Sequence, residues 1–375
     1  MTSKDALAIH TILCERYSIE RVIGEGGFGI TYYARHIQLG TYVAIKEFFL
    51  SGTCTRNPRT GMVSFPEMRP EVFEKYCKRF QNEARTLCQL DNPHVVHVHD
   101  IFNQNGTSYI VMDYIKGETL LQLIQRKGAL PYAEAINYIA QLCEAVEHIH
   151  NHHILHRDIK PSNIMITPDY NVVLIDFGAA RSFVHDREQR HTTMLTMGYA
   201  PIEQYTATSK KGNYTDLYAV GGVFYYAVTG QHPIPAADRI LKDTLVEPRM
   251  LNPSVPKDAN RIIMKALRVN PEERYQDAQT FRNDLLDIKN TPLPKKTKKQ
   301  TTPIGLIVII FVLVCVFINA GIAAFLIWDS DSEPPTPLSQ DTIVNPEDSA
   351  RQRAQEEYQN ATIVIESSTQ DSLCL

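Results

Sequence analysis

The stretch HRDIKPSN, His156–Asn163, decides how this chain is read. Asp158 is a carboxylate that can orient an incoming hydroxyl and accept its proton. Lys160, two residues on, brings an ammonium to where charge on a group in transfer needs neutralising. Asn163 supplies a neutral oxygen, a ligand type suited to a hard cation such as Mg²⁺. Upstream, roughly Tyr132 to His150, the spacing is that of an amphipathic helix. Downstream, VVLIDFG (Val172–Gly178) reads as a buried apolar strand ending in Asp176, with Gly178 releasing the turn. A carboxylate in that position can serve a second metal position. Singly, each residue could be a cap or a loop residue; their order and spacing together mark a catalytic constellation.

Working toward the N-terminus, IGEGGFGIT (Ile23–Thr31) places Gly24, Gly26 and Gly29 as G-x-G-x-x-G. The spacing alone is weak, because dinucleotide-binding folds open the same way. Those folds need a helix directly after the glycines. Here the following residues are β-branched and aromatic, break at Leu39–Gly40, and predict a hairpin. The glycines then sit in a strand-turn-strand flap whose backbone N–H groups can approach phosphates. The hairpin ends in Val43–Lys46, and an ammonium near the end of an apolar strand needs an anion. A solvated lysine at the strand edge is the plainer alternative. In Phe73–Leu90 the residues Phe80, Ala84, Leu87 and Leu90 fall on one helical face, with Glu83 beside it. A Lys46–Glu83 pair is expected; Glu74 is the second choice, more than two turns earlier.

Composition sets bounds around this centre. The net charge of −4 in 375 residues argues neither for nor against nucleic acid, and none is expected as a partner. Seven cysteines without a CxxC pair argue against a zinc site or a disulfide framework, and reduced thiols are expected. Met1 to His10 lacks the apolar run of a signal peptide. Ile304–Trp328 runs about 25 residues without a charge, long enough to cross a bilayer as a tilted helix. Lys295, Lys296, Lys298 and Lys299 precede it and acidic residues follow, which orients the N-terminal part toward the cytoplasm. The organisation expected is a folded domain at 17–288, a basic linker at 289–303, a membrane helix at 304–328 and an acidic, disordered tail outside at 329–375.

These motifs resemble the eukaryotic-type protein kinase superfamily, bacterial transmembrane branch, from about Tyr17 to about Leu286. The resemblance rests on GEGGFG, VAIK, Glu83, HRDIKPSN, DFG, GYAPIEQY (Gly198–Tyr205), DLYAVGGVFYYAVTG from Asp216 and NPEERYQDA from Asn270. It implies a bilobal α+β fold, with a small antiparallel-sheet lobe at roughly 17–115, a large helical lobe and a nucleotide between them. It implies ATP as phosphoryl donor with Mg²⁺, or Mn²⁺ in its place, and serine or threonine of proteins as acceptors, Lys160 being the serine/threonine pattern.

Residue by residue, the resemblance implies that Asp158 is the catalytic base and that Lys46, paired with Glu83, holds the α- and β-phosphates. Asn163 and Asp176 would hold the metal. The flap residues Ile23, Gly24, Glu25, Gly26, Gly27, Phe28, Gly29 and Thr31 would cover the nucleotide. Backbone groups of Asp113 and Ile115 would take the adenine edge, beside Met112. Glu203 would pair with Arg274, Asp216 would anchor the catalytic-loop backbone, and Thr196 would contact Asp158. Thr192 and Thr193 are candidates for an activating phosphate facing Arg157.

Three departures stand out. Thr31 replaces a valine, the A-P-E motif reads Pro201-Ile202-Glu203, which keeps the acid, and the Lys46–Glu83 interval is about twice the usual span. The extra residues, roughly Ser51 to Pro70, read as a loop near the nucleotide cleft, placed to regulate access. A nucleotide-binding pseudokinase scaffold and a kinase of small alcohols are the competing readings. The retained Lys, Asp and metal ligands weigh against the first, and the segments from Thr196 and Asp216 against the second. A homodimer through the membrane helix or the small lobe is kept open.

Overall fold

The computed structural model describes residues 4–177, 198–206 and 208–290. The chain enters through β1 (Ile12–Leu13) and β2 (Tyr17–Gly26), turns at Gly27–Phe28, and returns as β3 (Gly29–His36). A turn closed by Gly40 at φ 70° leads into β4 (Tyr42–Phe48), so both expected hairpins form. A small hairpin, β5 (Thr55–Arg56) and β6 (Val63–Ser64), precedes α1 (Pro70–Leu87). Proline at the first turn of α1 sacrifices no helical hydrogen bond. β7 (Val98–Gln104) and β8 (Thr107–Asp113) complete an antiparallel six-stranded sheet in the order β1-β2-β3-β4-β8-β7.

Beyond Asp113, β9 (Glu118–Thr119) leads into α2 (Leu120–Lys127), capped by a reciprocal Thr119–Gln122 box. The expected amphipathic helix is α3 (Tyr132–Asn151). β10 (Ile164–Ile166) and β11 (Val172–Leu174) pair in a three-stranded sheet with β9. Then follow α4 (Asn213–Thr229), α5 (Pro248–Leu251), α6 (Lys257–Ala266) and α7 (Ala278–Asn290). Every residue of α4 from Thr215 to Val228 is buried, so this helix is the axis of the large lobe rather than an amphipathic surface helix.

The residues just after α1 are bonded to the large lobe. Val96 N–H donates to Leu174 O at 3.0 Å, Leu174 N–H to His94 O at 2.8 Å, and His94 Nδ1 lies 2.9 Å from Val172 O. The end of α1 is therefore joined to the strand that carries Asp176.

The 51–70 segment differs from its expectation. It is a folded hairpin with buried Cys54, Val63 and Met68. Alternation along β4 explains where it packs. Lys46 and Phe48 share one face, where the Phe48 ring meets Phe73 and Phe80 of α1. Glu47 points to the other face, and there Arg56 Nη2 reaches it at 2.5 Å. The hairpin thus covers the side of the sheet away from Lys46. It continues to the β7–β8 turn through Val63 N–H to Asn105 O, 2.8 Å, and to α1 through the stacked Phe65 and Phe73 rings, 4.0 Å.

Among the described residues no helix is long and apolar enough to cross a membrane. The segment expected to do so, 304–328, lies outside the described residues, as do the linker from 291 and the tail.

Candidate active site

Between the lobes, the loop after α3 carries Asp158, Lys160 and Asn163 together. Lys160 Nζ lies 3.0 Å from Asp158 Oδ2. The buried Asn163 donates its amide nitrogen to Asp158 O at 2.9 Å, to Asp158 Oδ2 at 3.2 Å and to Asp176 O at 3.3 Å. With its nitrogen so engaged, Asn163 turns its amide oxygen the other way, where Ser162 Oγ is 3.5 Å distant. Arg157 and Asp176 both have positive φ, 63° and 56°. Non-glycine residues in that region carry backbone strain, which persists only where surrounding contacts fix it.

For Arg157 those contacts come from Asp216, near the start of α4. Its Oδ2 accepts from His156 N–H at 2.9 Å and its Oδ1 from Arg157 N–H at 2.7 Å. His150 of α3 adds its Nε2 at 2.9 Å. Burial works against this carboxylate, but the hydrogen bond and charge of His150 prevail and hold its pKa below the ordinary value. Gln204 Nε2 donates to Arg157 O at 3.0 Å, fixing the next peptide, so that Arg157 is held on both sides. His156 is buried, lies 3.3 Å from Ile175 O and packs on the Phe177 ring at 4.3 Å. Desolvation lowers its pKa, so the ring is neutral at pH 7. Asp216 was expected; His150 and Gln204 were not. A histidine at the end of a helix and a glutamine beside Glu203 carry no local signal for a carboxylate and a carbonyl dozens of residues away.

Opposite this loop, Lys46 extends from β4. Its ammonium is 2.7 Å from Asp176 Oδ1, so Asp176, not Glu83, is the carboxylate it bonds. The left-handed turn at Asp176 swings that carboxylate toward the lysine. Glu83 acts on Lys46 through its charge. Burial pulls the Lys46 pKa down, but the fields of Asp176 and Glu83 leave it raised. Asp176 is lowered in return: burial opposes its ionisation, and the Lys46 charge and hydrogen bond outweigh that. The runner-up Glu74 is far from this site in function; it forms an exposed pair with Lys78 at 2.8 Å.

The flap lies over the same space. Gly24 pairs with Thr31 and Gly26 with Gly29 across the β2–β3 ladder, and Thr31 pairs with Lys46 across β3–β4. The three motif glycines differ in what the fold asks of them. A Cβ at Gly29 would stand 2.5 Å from Glu47 O, which only glycine avoids. A Cβ at Gly24 would rest 3.7 Å from Thr31, and one at Gly26 would come no closer than 4.0 Å to Gly29 O, ordinary distances. The protein's own packing makes no demand for glycine at 24 and 26, which fits a backbone kept bare for a ligand. At the turn itself, Phe28 O and Gly27 O accept from Phe49 N–H at 3.2 Å and Ser51 N–H at 3.1 Å. Ile23 and Glu25 are exposed on the flap, and Phe28 packs on the core.

At the junction of the lobes, Asp113 donates its N–H to His97 O at 3.0 Å and its carboxylate lies 2.7 Å from His99 Nε2. Its carbonyl is then the backbone group suited to an adenine edge; Ile115, two residues on, is half-buried against the core. The donor set of Asn163 and Asp176, one amide oxygen and one carboxylate, suits a hard divalent cation such as Mg²⁺. In the large lobe, Arg274 Nη1 meets Glu203 Oε1 at 2.8 Å, as expected. Thr215 Oγ1 donates to the same oxygen at 3.0 Å. Gly178, Thr192, Thr193 and Thr196 lie outside the described residues.

Comparison with known proteins agrees with this geometry. Residues 17–286 match the protein kinase domain family. A probable serine/threonine-protein kinase of Clostridium perfringens is 35% identical over 294 residues, 76% of this chain and 40% of that protein. The serine/threonine-protein kinase PknB of Mycobacterium leprae is 30% identical over 301 residues, 77% of this chain and 45% of that protein. Among solved structures, the PpkA-294 apo form has a TM-score of 0.69 at 31% identity, covering 75% of this chain and 99% of that one. The chain thus spans less than half the length of these curated relatives. With Asp158, Lys160 and Asn163 joined on one loop, Lys46 and Asp176 paired across from them, and Asp216 bracing the whole, the chain belongs to the protein kinase domain family.

Proposed function

We propose that the chain is a serine/threonine protein kinase that moves the γ-phosphoryl group of ATP to protein hydroxyls. The observation that carries this reading is the joining of Asp158 to Lys160 at 3.0 Å and to Asn163 at 3.2 Å, across from the Lys46–Asp176 pair. Asp158 accepts the hydroxyl proton and aims the oxygen at phosphorus. Lys160 and Lys46 neutralise negative charge on the acceptor side and the nucleotide side. Asn163 and Asp176 would hold Mg²⁺, or Mn²⁺ in its place, which would neutralise charge on the phosphate oxygens. Gly24 and Gly26 admit the phosphates to the flap backbone, and Asp113 and Ile115 hold the adenine edge. The names of the relatives and Lys160 support serine and threonine as acceptors. Mg²⁺-dependent transfer of phosphate from ATP to the chain itself or to an added protein tests the reading. Transfer is expected from the parent and lost in Asp158→Ala; transfer by the variant at the parental rate would refute it.

We further propose that residues 304–328 anchor the chain, with the kinase domain cytoplasmic and the acidic tail outside. Twenty-five uncharged residues behind a lysine run support this. Extraction by alkaline carbonate, or loss of the tail rather than the domain to protease inside intact cells, would count against it.

A further inference from the structure

We propose that Arg56, on the extra hairpin, is a positioning residue for phosphoryl transfer, fixing Lys46 and the flap turn through its grip on Glu47. This rests on the kinase reading above.

Glu47 is fully buried, and its carboxylate is saturated. Oε2 accepts from Tyr32 Oη at 2.8 Å and from Arg56 Nη2 at 2.5 Å, and Oε1 accepts from Tyr109 Oη at 2.7 Å. Burial, followed by the Glu47 charge, raises both phenols, so they remain donors. Arg56 is as deeply enclosed, with 3% of its side chain exposed. Its other donors go to main chain, Nε to Asp5 O at 2.5 Å and Nη1 to Gly61 O at 2.8 Å. Leu7 N–H closes the network on Tyr32 Oη at 3.0 Å.

Stability alone is a poor reason for such a pair. A buried ion pair often contributes less than the apolar side chains that could replace it, while one attested use is to fix register. Register is what matters at this strand. Side chains alternate across a sheet, so a slip by one residue exchanges the two faces. Lys46 is the residue before Glu47, paired with Ile110 while Glu47 pairs with Tyr109. Holding Glu47 on the hairpin face of the sheet therefore holds Lys46 on the opposite face. The same short segment also carries the flap: the Glu47 carbonyl packs against Gly29, and Phe49 and Ser51 tie down Phe28 and Gly27. A single guanidinium thus reaches the phosphate-facing lysine and the flap turn without touching either.

The test uses the full chain in detergent, with autophosphorylation rate followed against Mg·ATP concentration and melting temperature measured alongside. In Arg56→Met the half-saturating ATP concentration is expected to rise on the order of tenfold, more than the limiting rate falls. Arg56→Lys keeps the charge but not the fork and should lie between. Adding Glu47→Gln to Arg56→Met removes the unpaired buried carboxylate; melting temperature should recover and half-saturation should not. Parental half-saturation in folded Arg56→Met overturns the proposal. Joint recovery of melting temperature and half-saturation in the double variant also overturns it, since a purely structural role predicts that. Should Arg56→Met fail to fold, Arg56→Lys and the double variant decide by the same two readings. Lys46→Met is the control: parental ATP dependence there would sink the role given to Lys46, whatever Arg56 does.

Discussion

Arg274 holds both carboxylate oxygens of Glu203, at 2.8 and 3.1 Å, across 71 residues of chain, with both side chains almost wholly buried. The remaining Arg274 donors go to the carbonyls of Arg268 and Val269, each at 2.7 Å. Removing the arginine strands a carboxylate beneath α4. Arg274→Ala is expected to cost about 3–5 kcal/mol of stability. Urea unfolding of the large lobe reads this directly; a loss under ~1 kcal/mol, the size of an exposed pair, would contradict it.

Acid should destabilise the protein in two stages, with the sign set by which state binds the proton first. As pH falls through the ordinary histidine value of 6.5, the unfolded chain protonates His156 while the folded chain keeps it neutral. Stability therefore begins to decline there. A second decline follows below the ordinary aspartate value of 3.8, where unfolded Asp216 takes up a proton that the folded carboxylate refuses. His148 and His232 are lowered by burial as well, so urea midpoints measured from pH 8 to pH 3 should show the first stage in the parent and a smaller one in His156→Phe. An unchanged first stage in that variant would assign it elsewhere.

The motif glycines should separate by experiment into one the fold needs and one the nucleotide needs. Gly29→Ala forces a Cβ against Glu47 O and should destabilise by about 1–3 kcal/mol. Gly24→Ala has room, and a less flexible unfolded chain should leave its stability equal to the parent or up to ~1 kcal/mol higher. Its half-saturating ATP concentration should nonetheless rise. Thermal melting beside ATP titration separates the two; equal melting temperatures for both variants would refute the distinction.

Asp158→Asn retains shape and loses proton acceptance. The rate of phosphate transfer should fall about 10²–10⁴-fold. Because Asp158 is assigned to the hydroxyl and not to ATP, nucleotide affinity measured by calorimetry should stay near the parent's. A tenfold loss of affinity with an intact rate would reverse that assignment.

Much of this was legible in the sequence because the chemistry is local. His156–Asn163 and Val172–Asp176 each fit within one loop or strand end, and the glycine hairpins announce themselves by turn chemistry. Glu203 with Arg274 and Asp216 with the catalytic-loop backbone could be assigned only through the family resemblance, since nothing near either residue names its partner. Besides His150 and Gln204, two larger features escaped. The partner of Lys46 depends on a positive φ at Asp176, which no side-chain pattern encodes. The Ser51–Pro70 segment reads as a loop because its strands are two residues long. Its packing onto Glu47 is a tertiary fact, visible only once Tyr32, Tyr109 and Arg56 are seen to converge.

The hydrogen bonds that join His94 and Val96 to Leu174 make α1 a lever with its fulcrum at the Leu87 end. At ~1.5 Å per residue, Glu83 lies ~6 Å from that fulcrum and Phe73 ~21 Å from it. A swing that carries Phe73 several ångströms along its arc displaces Glu83 by less than a third as much. In that geometry the Phe65–Phe73 stack sits on the long arm and Glu83, whose charge acts on Lys46, on the short one.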